Sequence, residues 1–338
     1  MLGRDRLLQL TEAFRGKRVM VYADIVADRF IYGNPKRISR EAPVLILRQY
    51  REDTLLGGGG NAINNIASLG GVPVPVAILG DDREAEELLR QLAQRSIDCG
   101  GISRISRYRT PTKVRVLGGM PHSSRQQIVR YDIEDHIALS AAETASLATA
   151  MQGVFASCAG ALVSDYGYGV VTPALMATFA EAREDKPVTL DSRYQLLDFS
   201  AITAATPNEE EAAAAAGMEL FGDAEEEKVA RVGETLRQRL AAEAVLITRG
   251  SRGMALFQRE REPLFIPVHG SDQIADVTGA GDTVIATFTL ALVAGASFVE
   301  AAYLANYAGA IVVMKMGTAT ATNDELRNVI ERDEQLER

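Results

Sequence analysis

Soft metal ligands are scarce in this chain. Its 338 residues hold two cysteines and three histidines. Cys99 and Cys158 form no C-x-x-C pair, and His122, His136 and His269 form no H-E-x-x-H or H-x-x-H group. Neither a zinc site nor a redox dithiol is expected, and two buried free thiols are the plain reading. Long apolar runs are missing too: none reaches the ~18 residues a membrane helix needs. The N-terminal stretch MLGRDRLLQLTEAFRGKR is charged throughout and lacks the apolar segment of a signal peptide, so a cytoplasmic protein without a membrane partner is expected. Nor is there an excess of positive charge. Thirty-six Lys and Arg face 45 Asp and Glu, a net charge of -9, which argues against a nucleic-acid partner. The phosphate-binding pattern G-x-x-x-x-G-K-[ST] does not occur either. Chemistry must therefore rest on carboxylates, hydroxyls, a few local cations and backbone amides.

What is present suits a packed α/β domain. Hydrophobic residues make up 47% and charged residues 24%. No Pro/Ser-rich linker or repeat divides the chain, so one domain over 1–338 with an inserted sub-structure is expected. Strand-like runs at 18–24, 74–79, 161–165, 187–191 and 244–249 alternate with helical patterns at 61–69, 83–95, 172–183, 208–216, 224–241, 282–294 and 298–314. Such alternation predicts a mostly parallel sheet with helices on both faces. Two stretches, about 30–50 and 109–135, read as strands without helices between them. They predict a small antiparallel sheet projecting from the body, serving as a lid or as a dimer contact.

The most informative segment is Asp276-Val277-Thr278-Gly279-Ala280-Gly281-Asp282-Thr283, followed by a patterned helix. Glycines let the backbone turn tightly, and amides at a helix start attract anionic oxygens. A carboxylate at that first turn, Asp282, is placed to take a proton from a hydroxyl while the amides hold a phosphoryl group. Read in isolation, the segment is equally a loop with an Asp cap. A second glycine run, Gly57 to Gly60, precedes Asn61 and Asn65, which share one helix face and suit sugar hydroxyls. It does not fit the dinucleotide pattern G-x-G-x-x-G. Asp24 and Asp28 follow the first strand, as sugar ligands or as loop caps. Lys113, Arg115, Arg37 and Arg125 lie on the lid strands, as phosphate cations or as a solvated face. Asp165-Tyr166 and Asp191 end two further strands and border the same cleft.

These segments resemble the ribokinase-like (phosphofructokinase-B) sugar kinases over about residues 17–326. The D-x-T-G-A-G-D signature at 276–282 is complete, and G-G-x-x-N is present with Gly58 and Asn61 in it. The resemblance implies ATP as phosphoryl donor, Asp282 as catalytic base and the amides of Gly279, Ala280 and Gly281 as anion hole. It implies sugar binding at Asp28. Asn208 and Glu211 match the N-x-x-E motif tied to Mg²⁺ through water and to phosphate. Thr248, Gly250 and Gly253, with Asp276 and Thr278, fall on the nucleotide side, where Arg249 is a phosphate cation or a surface arginine. Within the family the chain is most similar to D-glycero-β-D-manno-heptose-7-phosphate kinases, through Asp24/Asp28, Tyr32-Gly33, Thr112-Lys113 with Arg115, and Ser164-Asp165-Tyr166. It departs from them at Arg40, Tyr168 and Asp191-Ser192-Arg193, and by an insertion around 118–123. The implied reaction moves the γ-phosphoryl group of ATP to O1 of a sugar phosphorylated at its far end. The unpaired strand edges of an exposed lid sheet predict a homodimer joined through the lid. Another sugar as acceptor, or a non-catalytic sugar or nucleotide sensor, stay open as alternatives. No H-x-G-H motif occurs, so adenylyl transfer is not expected from this polypeptide.

Overall fold

A computed structural model describes residues 2–119, 126–181, 183–220, 226–270 and 276–336. The body is a nine-stranded sheet. Its strands are β1 (Arg18–Ala23), β4 (Val72–Gly80), β5 (Ile102–Ile105), β8 (Gly160–Asp165), β9 (Val188–Ser192), β10 (Ala204–Ala205), β11 (Ala244–Thr248), β12 (Met254–Gln258) and β13 (Leu264–Ile266). Their order is β13-β12-β11-β10-β9-β8-β1-β4-β5. All pairings from β5 to β11 are parallel, and only β12 and β13 run against their neighbours.

Two cores sandwich this sheet because successive strand residues face opposite ways. In β1, Val19, Val21 and Ala23 join one core, and Met20 and Tyr22 the other. The first core is covered by α1 (Arg4–Ala13), α2 (Gly59–Ser68), α3 (Arg83–Gln94), α8 (Ala280–Val293), α9 (Phe298–Val313) and α10 (Asn323–Arg332). The second is covered by α4 (Ala141–Ala156), α5 (Pro173–Ala180), α6 (Glu209–Ala216) and α7 (Glu226–Leu240). The sequence reading assigned no helix at α1, α4 or α10. In α1 and α10 the buried apolar set is thin: Leu7 and Leu10 in one, Leu326 and Ile330 in the other. The two helices pack on each other, so neither shows the broad apolar stripe of a helix lying on a sheet.

The lid is a separate four-stranded sheet, β3-β2-β6-β7, built from β2 (Ile25–Ile38), β3 (Leu45–Gly58), β6 (Thr112–Gly118) and β7 (Gln126–Ile133). Its outer pairings are antiparallel, as expected of hairpins, but β2 and β6 pair in parallel. Each hairpin leaves the same edge of the body on its first arm, so the two outgoing arms meet side by side. The strands are also longer than the sequence pattern indicated. β2 begins one residue after Asp24, and β3 continues through Gly57 and Gly58, so α2 starts at Gly59 instead of after a glycine loop. Residues 120–125, with most of the insertion and Arg125, lie outside the described residues.

Candidate active site

Strand order reverses at the β8–β1 boundary: β4 and β5 lie to one side of β1, and β8 to β13 to the other. A crevice at the carboxyl ends of such strands is where open α/β sheets bind ligands. The N-terminus of α8 enters it without a side-chain cap. Gly279 stands at the cap position with φ 77° and ψ 8°. A Cβ there would lie 2.4 Å from Asn61 Nδ2, and its backbone would be strained. Among the described residues, the amides of Gly279, Gly281 and Asp282 meet no acceptor, whereas that of Ala280 donates to Val277 O at 3.2 Å. The expected triplet of amides is therefore corrected: Ala280 closes the turn, and Asp282 supplies the third open N–H at this positive helix end.

The Asp282 side chain is only 3% exposed. Asn61 Nδ2 donates to its Oδ2 at 3.2 Å, and the Tyr166 hydroxyl donates to its Oδ1 at 2.8 Å. Asn61 also donates to Gly279 O at 3.1 Å and accepts from Asn65 Nδ2 at 3.2 Å, which ties α2 to the glycine turn. Burial raises the Asp282 carboxyl to about 7, against the pull of the Tyr166 and Asn61 hydrogen bonds. The charge of Asp28 adds to the rise, and that of Lys113 opposes it. A carboxylate poised near neutrality is matched to general-base work.

On the lid side, Asp28 on β2 forms a buried ion pair with Arg115 on β6. Gly57 leaves room for it, since a Cβ there would lie 2.3 Å from Asp28 Oδ2. Lys113, also on β6 and buried, holds its ammonium 5.1 Å from the centre of the Tyr166 ring. It has no ion-pair partner among the described residues, and burial, then the charge of Arg193, lowers its pKa. Arg193 reaches the same ring from β9, its Cζ 5.4 Å from the centre.

Asp24, just past β1, is buried. Its Oδ2 accepts from the amides of Tyr166 at 2.9 Å and Tyr168 at 3.2 Å, so it holds the loop after β8; burial raises its carboxyl to about 7. Gly58, at φ 53°, acts as a spacer: a Cβ would lie 2.9 Å from Val26 Cγ2 and 3.3 Å from Tyr166 Cε2. Arg37 is exposed near the end of β2, nine residues beyond Asp28 and so roughly 30 Å along the strand.

On the other side of α8 lies a cavity of about 640 Å³. It is lined by Thr248, Gly250 and Gly253 from the β11–β12 turn, by Ala280 and Gly281, and by Asn306, Gly309, Ala310 and Val313 of α9. Gly253, at φ 81°, sits where a Cβ would lie 2.0 Å from Ile266 O. Asp276 braces the wall, accepting from the amides of Thr278 and Gly317, each at 2.9 Å. Burial acts to raise its pKa, but these hydrogen bonds outweigh it and hold the carboxyl below its usual range. Arg249 is neither an exposed arginine nor free for a phosphate. It is buried and pairs with Glu209 at 2.9 Å, as Arg252 also does. Asn208 and Glu211 form a reciprocal cap on α6, each accepting the other's amide at 2.9 Å. Glu211 Oε1 remains 4.0 Å from Arg193 Nε. Burial raises Glu211, and burial together with the charges of Glu211 and Asp282 raises Asp191.

Tyr166 lies in the Ser164-Asp165-Tyr166 likeness and Arg193 at a departure from the family pattern; what each touches is fixed by tertiary neighbours and is not marked locally. The α9 wall had a signal: Asn306, Gly309, Ala310 and Val313 follow i, i+3, i+4, i+7, a helix face of mostly small residues that leaves space. Tyr168 is buried and donates to Glu134 at 3.1 Å, which makes it a brace for the lid junction.

Residues 17–325 match the model of the pfkB family carbohydrate kinases. The chain is 39% identical over 329 residues to the bifunctional protein HldE of Caulobacter vibrioides, covering 95% of this chain. It is 35% identical over 335 residues to that of Pelobacter propionicus, covering 97%. It spans 65% and 66% of the length of these two relatives. Among solved structures, Arabidopsis thaliana ribokinase complexed with ribose and ATP superposes with a TM-score of 0.72 at 19% identity, covering 94% of this chain and 100% of that one. Escherichia coli phosphofructokinase-2 in complex with substrates and products gives 0.73 at 18% identity, covering 93% and 98%. At such identities the likeness is one of fold.

Proposed function

Because the chain belongs to the pfkB family of carbohydrate kinases, we propose that it moves the γ-phosphoryl group of ATP to O1 of D-glycero-β-D-manno-heptose 7-phosphate. The observation that carries this reading is Asp282, a buried carboxylate near neutrality set beside open amides at the mouth of α8. The acceptor hydroxyl gives its proton to Asp282 as its oxygen bonds to the γ-phosphorus. The bond from that phosphorus to the bridging oxygen breaks, and its electron pair leaves with ADP. The amides of Gly279, Gly281 and Asp282 hold the charge spreading over the phosphoryl oxygens. Asp28 and Asn61 orient the sugar. Lys113, an ammonium without a counter-ion among the described residues, suits the sugar's distal phosphate. The HldE relatives support the heptose assignment.

ATP fits the cavity between the β11–β12 turn and α9, with its phosphates toward α8. Glu211 and Asp191 crowd negative charge beside Arg193 and favour a divalent cation there. No group of three or more metal ligands gathers among the described residues. A donor set this small fits Mg²⁺, which keeps most of its waters and binds phosphate oxygens. When bound it supplies charge neutralisation. Glu211 would hold it, and Asn208 keeps Glu211 in place through their reciprocal hydrogen bonds.

No described helix is long and apolar enough to cross a membrane; a cytoplasmic location belongs to this proposal. A homodimer through the lid is supported by the apolar residues this sheet exposes: Ile38, Val44, Leu45, Tyr50, Ile128, Val129 and Tyr131. Sedimentation as a monomer at micromolar concentration would remove that part.

The reaction is tested by measuring ADP release with ATP and Mg²⁺ across heptose 7-phosphate, fructose 6-phosphate, ribose and fructose. Heptose 7-phosphate is expected to give the highest kcat/KM. A preference for neutral ribose or fructose would sink the phosphosugar assignment. Ligand binding with no ADP release from any acceptor would point to a sensor.

A further inference from the structure

Tyr166 is the residue on which the separate parts of the site converge. Its amide is held by Asp24 Oδ2 at 2.9 Å, and the missing side chain at Gly58 makes room for its ring. Its hydroxyl donates to Asp282 Oδ1 at 2.8 Å, while Asn61 donates to Oδ2 at 3.2 Å. Lys113 Nζ from the lid and Arg193 Cζ from β9 lie 5.1 and 5.4 Å from the ring centre. An ionised carboxylate offers about four lone-pair sites. With one donor on each oxygen, its plane is fixed and each oxygen keeps a lone-pair site, one of which can take the acceptor's proton.

We propose that Tyr166 is a positioning residue for phosphoryl transfer: its hydroxyl fixes the orientation and charge state of Asp282, and its ring seats Lys113 and Arg193. This rests on Asp282 being the general base. The groups facing Asp282 are Tyr166 from the end of β8, Asn61 from α2, Asp28 from β2, Lys113 from β6 and Asp191 from β9. Tyr166→Phe removes one donor from this set and keeps the ring. A donor stabilises the ionised form, so its loss raises the proton affinity of Asp282. A general base works only when deprotonated. The acid limb of the pH profile must therefore move to higher pH.

The test is a carboxyl ¹³C NMR titration of the full-length aspartate-labelled protein, with the Asp282 signal assigned by its absence in Asp282→Asn. In Tyr166→Phe the midpoint is expected to rise by about one unit. The acid limb of kcat/KM, measured with ATP and heptose 7-phosphate, should follow it. The loss is then about tenfold below the limb and small well above it, with KM for ATP little changed. Incorporation of 3,5-difluorotyrosine at position 166, a stronger donor, should lower the midpoint and covers the case in which Tyr166→Phe does not fold. A midpoint that stays in place in whichever of these proteins folds, or a loss equal at every pH, overturns the proposal. Near-normal turnover in Asp282→Asn would sink the base assignment itself. An inactive Asp282→Asn beside an unmoved Tyr166→Phe midpoint would sink only the role of Tyr166.

Discussion

Helices α6 and α8 both begin beside the crevice, and their first turns are finished in opposite ways. Asn208 and Glu211 close the start of α6 on itself, each side chain accepting the other's amide. At α8 the cap position is Gly279, and among the described residues no side chain accepts from the first-turn amides, so three of them stay open. The sequence offers an acidic residue in each first turn, Glu211 and Asp282, and both are compatible with anion or metal chemistry. What separates them is the destination of the hydrogen bonds. A helix start closed by a capping box has its N-cap and third-residue amides satisfied, here those of Asn208 and Glu211. An uncapped one leaves such amides open, and its acid is held by residues from other elements, Asn61 and Tyr166.

The comparison breaks most clearly at Asp282. Asp282→Asn should lower kcat by roughly 10²–10⁴-fold, the usual worth of a general base. Thermal unfolding and ATP binding should stay close to those of the parent. Turnover within a few-fold of the parent would erase the distinction between the two helix starts. A smaller effect is expected at Gly279→Ala. Its Cβ displaces the Asn61 amide and strains a left-handed backbone, so kcat/KM should fall about tenfold, the equivalent of one hydrogen bond of ~1.4 kcal/mol. Unchanged kinetics would mean that the αL turn and Asn61 do not organise the amides. The smallest effect belongs to α6. Asn208→Ala should cost ~1 kcal/mol of stability through the lost cap. It should raise the Mg²⁺ concentration needed for half-maximal rate while leaving kcat at saturating Mg²⁺ within about threefold. A collapse of kcat at saturating Mg²⁺ would show Asn208 acting at the reaction centre.

Much of the fold is legible because period and punctuation agree locally. β1 alternates between two cores, and α8 and α9 are apolar around most of their circumference. Helices α1 and α10 escaped the sequence reading because they bury only a few apolar residues against each other. The lid was recognisable as strands, but the parallel pairing of β2 with β6 depends on where two distant hairpins leave the body. Within the site, Asp282 and Asn61 could be named from their motifs. Asp24 carried the same signal as Asp28, yet one carboxylate binds the backbone amides of a loop and the other pairs with Arg115. A strand end specifies where a carboxylate stands; which donors meet it is fixed by chains arriving from elsewhere.

By itself the sequence determined that the chain forms a mostly parallel sheet between helices and that a glycine turn precedes an acidic helix start. These follow from local periodicity and glycine conformations, which act within a few residues. Tertiary structure alone decided that Tyr166 and Asn61 clamp Asp282, that Arg249 belongs to Glu209, and that the Lys113 ammonium lies over the Tyr166 ring. Desolvation and hydrogen bonding depend on the full set of neighbours, and the two residues that clamp Asp282 lie more than 100 positions away along the chain.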